Sequence, residues 1–317
     1  MAERHYHIIL NERAGTVQAL GLTCEVMSAK FTANDYKFDI DADDTRPLED
    51  RIAKAIAGPA DVIVAAGGDG TAAAIAQALV GTEKTLAALP LGTYNALSKD
   101  LGVPLNIDLA IAALRNMEKV KIDVADVNGH VFLHNVLIGA MSAMTAAREK
   151  MRGATTLQWL GFFRFALKRL ARTRRMAVAI EPDSGERRVE RVHAMAVANN
   201  SYDQRLGAFL TRKRLDRGLL TLYVMKTFGV ADAFRLLAEM LAGTWRDDVH
   251  MNYEHIKGLT IHTHKPKLLV SLDGEALTLE TPLTFTVVPQ GLMVLGDPEA
   301  PPVKAAETVP EPEPLEA

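Results

Sequence analysis

Residues Asp61 to Ala66 form a short apolar run that ends in Gly67-Gly68-Asp69-Gly70-Thr71 and passes into the alanine-rich stretch Thr71 to Val80. A second apolar run, Thr85 to Leu89, ends in Leu89-Pro90-Leu91-Gly92-Thr93-Tyr94-Asn95. Strand, glycine turn and helix in this order demand parallel strands, because only a crossover helix returns the chain to the same end of a sheet. Strands near Tyr6 to Leu10 and Tyr36 to Ile40, with helices after Gly15 and over Leu48 to Ala57, extend the alternation.

From Lys119 the pattern changes to closely spaced strands. They are Val120 to Val127, Val131 to Ile138, Met176 to Glu181, Arg191 to Ala198, Leu219 to Met225, Leu259 to Thr263, Leu268 to Leu272 and Leu283 to Val288. Helical segments interrupt them near Leu157 to Arg172 and Val230 to Leu241. The expected fold class is α/β: an N-terminal parallel-sheet nucleotide-binding domain over residues 1–118, then a mostly antiparallel β-rich domain over 119–296. The final strand is free to return to the first domain. Residues 297–317, rich in Pro, Glu and Ala, read as a disordered acidic tail.

Glycine turns between strand and helix admit two readings. They are tight structural connections, or they let phosphates approach the backbone and the helix N–H groups. Three loops decide between them: Asn11 to Gly15, the Gly67 turn and the Gly92 turn all leave the carboxyl ends of strands, the edge where open α/β sheets bind ligands. Nucleotide contacts are therefore expected at Asn11, Gly67, Gly68, Asp69, Gly70, Thr71, Gly92, Thr93 and Asn95. Asp69 is the candidate for holding the Mg²⁺ that accompanies ATP, and Asn95 is alternatively a helix cap.

GGDGT followed by PLGTxN resembles the diacylglycerol kinase catalytic family, which includes bacterial lipid kinases and sphingosine and ceramide kinases. Ile122-Asp123-Val124, Ala198-Asn199-Asn200, Leu215-Asp216-Arg217-Gly218-Leu219-Leu220 and Leu272-Asp273-Gly274-Glu275 follow in the family's order. The resemblance implies transfer of the γ-phosphoryl group of ATP, with Mg²⁺, to a lipid hydroxyl such as that of diacylglycerol, a sphingoid base or ceramide. It also implies that Asp273 is the base and that Glu275 supports its orientation or charge. Without the resemblance, Asp273-Gly274 is a turn signal.

The chain departs from the family's pattern. Its first loop is Asn11-Glu12-Arg13-Ala14-Gly15, without the family's Pro and Lys. Ala73-Ala74 stands where Asn-Glu is usual, and Ala96 and Arg217 replace acids. Arg217 is expected to stand in for a structural cation. An NAD-kinase-like enzyme and a non-catalytic lipid- or nucleotide-binding regulator are the alternatives.

A net charge of -3 gives no support for nucleic-acid binding. The single cysteine, Cys24, favours a reducing, cytoplasmic setting, and His262 and His264 lack a third ligand at a metal-type spacing. No stretch is long and apolar enough to span a bilayer. Basic and aromatic residues between Arg148 and Arg175 fit either peripheral contact with an anionic membrane surface or a helix buried in the second domain. A homodimer stays open.

Overall fold

The computed structural model describes residues 4–149, 175–202, 212, 214–226, 229, 231–232, 235, 238–239 and 251–300. The chain divides into two compact units. Unit 1 comprises residues 1–122, 212–217 and 292–317; unit 2 comprises residues 123–211 and 218–291.

Unit 1 is built on parallel strands β1 (His5–Leu10), β2 (Lys37–Asp41), β3 (Val62–Ala66) and β4 (Thr85–Ala88), in the order β2-β1-β3-β4. The register Ile8↔Val64 and Val64↔Ala87 brings the carboxyl ends of β1, β3 and β4 to one edge. β3 is apolar throughout and fully buried, as a central parallel strand covered on both faces must be. On one side Tyr6 meets Phe31 edge-on, with Tyr36 and Phe38 completing an aromatic cluster under helix α2 (Cys24–Ala33), which follows the short α1 (Gly15–Ala19). Helices α3 (Leu48–Ala57) and α4 (Asp69–Leu79) bury Ile52, Ala55, Ile75 and Leu79. Thr23 caps α2 by accepting the Val26 N–H, and the glycine turn leads straight into α4. Short helices α5 (Ala96–Asp100) and α6 (Ile107–Ala113) follow, the latter capped by Asn106.

Unit 2 is a β-sandwich. One sheet has the order β12-β11-β10-β7-β14-β15, formed by β7 (Asn135–Gly139), β10 (Ala194–Asn199), β11 (Leu220–Met225), β12 (Met251–Ile256), β14 (Lys267–Leu272) and β15 (Glu275–Glu280). All its pairings are antiparallel. The facing strands are β5 (Glu118–Val127), whose residues up to Ile122 belong to unit 1, β6 (His130–Phe132), β8 (Met176–Pro182), β9 (Arg188–Val192), β13 (Gly258–His262) and β16 (Leu283–Gly296). Alternate residues of both layers, among them Ile138, Val197, Leu222, Val270, Ile180, Leu259 and Phe285, make one buried core. Helix α7 (Ala140–Glu149) covers β7, β14 and β15. The last residues of β16 belong to unit 1, where Met293 and Val294 lie parallel to Thr85 and Leu86 of β4.

The fold class agrees with the sequence reading, and two differences have a physical cause. Val131 to Ile138, read as one strand, breaks into β6 and β7; Arg191 to Ala198 breaks into β9 and β10. In both cases the chain crosses from one layer of the sandwich to the other, which alternation within an apolar run does not reveal. The helix expected over Leu157 to Arg172, residues 150–174 of the segment Arg148 to Arg175 with its two readings, most of the helix expected at Val230 to Leu241, and residues 301–317 of the tail expected over 297–317 lie outside the described residues. Among the described residues no helix is long and apolar enough to cross a membrane.

Candidate phosphate-binding and acceptor sites

The expected nucleotide residues of unit 1 converge through hydrogen bonds. Asn11 follows β1; its N–H donates to Ala66 O at 2.9 Å, and its Nδ2 donates to Thr71 Oγ1 at 3.2 Å. The first loop and the first glycine turn are thereby tied together. Thr71 is buried under Gly67, where a Cβ would come within 2.5 Å of its hydroxyl, so only glycine fits. Gly68 precedes α4 and has open space around it. The N–H groups of Asp69 and Gly70 open the helix, where no helical carbonyl is available to them and the helix dipole favours an anion.

Asp69 performs a task that the sequence reading did not give it. Its Oδ2 accepts the Tyr94 N–H at 3.0 Å and its Oδ1 accepts the Asn95 N–H at 2.9 Å. The two glycine turns are thus one hydrogen-bonded unit. Gly92 is confined for the same reason: a Cβ there would lie 2.5 Å from the Asp69 carboxylate. Asn95 has φ +50° and accepts the Gly92 N–H on Oδ1 at 2.7 Å, so its side chain closes its own turn and makes no cap bond to α5. Thr93 is exposed at the tip.

At the same edge Arg51 is buried and holds the ends of β1 and β2 together. It donates to Leu10 O and Asp41 O, both at 2.7 Å, and pairs with Asp41 at 2.9 Å and with Asp44 at 3.2 Å. Burial works against the charge of Asp41, but the Asp43 N–H and the Arg46 and Arg51 guanidinium groups outweigh it and hold its carboxyl below the usual range. Thr45 and Arg46 bring Asp43 down to about 2. Arg13 in the first loop donates to Asp44 O and is largely exposed.

In unit 2, Asp273 sits at φ +47° in the turn between β14 and β15. Its carboxylate accepts three consecutive backbone N–H groups, from Leu133 at 2.6 Å, His134 at 2.8 Å and Asn135 at 2.9 Å. This is the point at which β6 gives way to β7, so Asp273 holds the crossing open. Glu275, two residues on, is exposed at the start of β15. Asp123, entirely buried, accepts from Gly218 N at 2.6 Å, Gln290 N at 2.9 Å and Asn200 Nδ2 at 3.2 Å. A charged residue inside the apolar Ile122-Asp123-Val124 run was the available signal for it. Arg217 is exposed, and Arg214 is the residue that grips Asp216 through two 2.9 Å contacts.

Among the described residues no three His, Cys, Asp or Glu side chains group as a metal site. Asp69 nevertheless suits a cation carried by a polyphosphate. Mg²⁺ commonly takes one or two carboxylates, with phosphate and water filling the rest of its shell. The two N–H donors engage only about half of the carboxylate's roughly four acceptor positions.

Residues 5–127 match the model of the diacylglycerol kinase catalytic domain, and residues 135–296 match that of the YegS C-terminal NAD kinase beta sandwich-like domain. The chain is 30% identical over 260 residues to a Pseudomonas aeruginosa protein described as "Probable lipid kinase YegS-like", covering 80% of this chain and 81% of that one. It is 28% identical over 222 residues to a Bacillus subtilis diacylglycerol kinase, covering 68% and 71%. The fold superposes on a Bacillus anthracis diacylglycerol kinase with TM-score 0.64 at 21% identity, covering 94% of this chain and 98% of that one.

Proposed function

The chain belongs to the diacylglycerol kinase family, with a YegS-type C-terminal domain, and we propose that it transfers the γ-phosphoryl group of ATP to the hydroxyl of a membrane lipid. The observation that carries this reading is the pair of bonds from Tyr94 and Asn95 to Asp69. They fuse two glycine turns and, through Thr71 and Asn11, a third loop into one preformed cradle.

In this proposal the N–H groups of Asp69 and Gly70 meet phosphate oxygens, and Gly68 leaves the space for them. Gly67 and Gly92 let the backbones close up, while Thr93 and Asn11 border the nucleotide. Mg²⁺, held by Asp69, would neutralise polyphosphate charge. The lipid hydroxyl oxygen forms a bond to the γ-phosphorus as the bond from that phosphorus to the β,γ-bridging oxygen breaks, releasing ADP. The hydroxyl proton passes to a carboxylate of the turn between β14 and β15. The resemblance implies Asp273 as the base; because its oxygens already accept three N–H groups, in this proposal Asp273 fixes that turn and the exposed Glu275, expected as its support, receives the proton. Phosphoryl transfer depends chiefly on positioning and charge stabilisation, so a rigid cradle and one carboxylate suffice.

The test is ATP turnover by the full chain with vesicles containing diacylglycerol, a sphingoid base or ceramide, against NAD in parallel. Turnover with a lipid supports the proposal. Turnover with NAD alone contradicts it.

A further inference from the structure

Asp100 and Arg212 form an ion pair inside unit 1 with both side chains 1% exposed. Arg212 donates twice to the same carboxylate: its backbone N–H to Oδ1 at 3.0 Å and its Nε to Oδ2 at 2.8 Å. The two residues are 112 positions apart. Asp100 ends α5, the helix that Asn95 begins. Arg212 opens the segment Arg212–Arg217, which belongs to unit 1 although the chain on either side of it belongs to unit 2.

Stability alone does not account for such a pair. Two charges taken out of water gain little over well-packed apolar side chains, and replacing them by such side chains is often neutral or stabilising. Burial indeed pushes the Asp100 carboxyl up, with Arg212 pulling the other way. The apolar hold on α5 is already supplied by Leu97 and Leu101, both buried. What the pair adds is direction, because the backbone N–H and the guanidinium Nε–H of residue 212 meet the two oxygens of one carboxylate. A five-residue helix does not hold its own orientation. The two bonds to residue 212 fix its far end, and its near end is Asn95, whose N–H and side chain lock onto Asp69 and Gly92.

We propose that the buried Asp100–Arg212 pair is a positioning element for the second phosphate turn, holding α5 at the angle that keeps the Tyr94 and Asn95 N–H groups on Asp69. The inference rests on the nucleotide reading of that turn. Arg212 and Asp100 are positioning residues in it and touch no reacting atom.

The experiment uses the full chain with Asp100→Leu and Arg212→Leu combined, so that no charge is left buried alone. It measures the thermal midpoint, the Kd for MgATP and hydrogen exchange at Tyr94 and Asn95. The expected result is a midpoint at or above wild type, a Kd about ten-fold weaker and exchange about ten-fold faster at those two amides. Arg212→Lys, which keeps the charge and the backbone N–H but loses the fixed Nε–H, should shift both readouts in the same direction by less. Wild-type Kd and wild-type exchange in the folded double variant overturn the inference while leaving the nucleotide site intact. Should the double variant fail to fold, unchanged Kd and exchange in Arg212→Lys overturn it instead. Wild-type protein that does not bind MgATP removes the nucleotide reading and this inference together, before any variant is compared.

Discussion

Asp69 Oδ1 accepts the backbone N–H of Asn95 at 2.9 Å, from a residue 26 positions away in the next glycine turn. A side chain that reads as a metal ligand in sequence is thereby also the link between two loops. Any effect of changing it has a geometric part and an electrostatic part.

Asp69→Asn keeps one carbonyl oxygen and sets an NH₂ group against one of the two N–H donors, Tyr94 or Asn95. Losing the acceptor of a buried donor costs about 1–3 kcal/mol, and the loss is smaller at the exposed Tyr94 N–H than at the part-buried Asn95 N–H. The thermal midpoint should fall by several degrees and MgATP affinity about ten-fold or more, read by calorimetry. Unchanged affinity and stability would show that the turns are held together by something else.

Gly68→Ala and Gly92→Ala should behave differently. Gly68 has φ -71° and no atom within 4 Å of an added Cβ, so the alanine variant should fold with wild-type stability and lose affinity where the methyl group meets phosphate. At Gly92 the methyl group would strike the Asp69 carboxylate at 2.5 Å, so both stability and affinity should drop. Equal thermal midpoints for the two variants would contradict this geometry.

For the β14–β15 turn, Asp273→Asn should lower the thermal midpoint, because one of the three N–H groups from Leu133, His134 and Asn135 loses its acceptor. Glu275→Gln should leave the midpoint unchanged and reduce lipid turnover about 10²-fold to 10⁴-fold, the usual range for general-base assistance. A stable but inactive Asp273→Asn, beside a fully active Glu275→Gln, would exchange the two roles.

Much of unit 1 was legible because its determinants are local. The alternation of apolar strand, glycine turn and helix names its own elements, and Leu48–Ala57 matches the expected helix at both ends. That the glycine turns leave the carboxyl ends of neighbouring parallel strands was legible for the same reason. What was not legible depends on distant partners. Val131 to Ile138 alternates like a single strand, and it breaks where Asp273, 138–140 residues away, binds three of its amides. Asp69 carried no sign that Tyr94 and Asn95 would be its partners, and nothing around Asp100 pointed to Arg212. The strands β12 and β15 were missed because their half-exposed, polar-rich sequences lack the apolar run that marked their neighbours.

Asp43, held at about 2 by the Thr45 hydroxyl and Arg46, has a pH signature. Its carboxyl lies below the ordinary value of 3.8, so the stabilisation it contributes is present in full above that pH and is lost as pH falls through about 2. Carboxyl titration by NMR should place Asp43 near 2 in the wild type and nearer 3.8 in Thr45→Ala with Arg46→Ala. Indistinguishable titrations would remove the Thr45 and Arg46 contacts as the cause.

Phosphorylation of a lipid with ATP is tested by incubating the protein with γ-labelled ATP, Mg²⁺ and a total lipid extract. A labelled, organic-phase lipid product that disappears with Asp69→Asn and Glu275→Gln is the predicted result. Nucleotide bound by the wild-type protein, with no label entering any lipid, would show that the chain is not a lipid kinase.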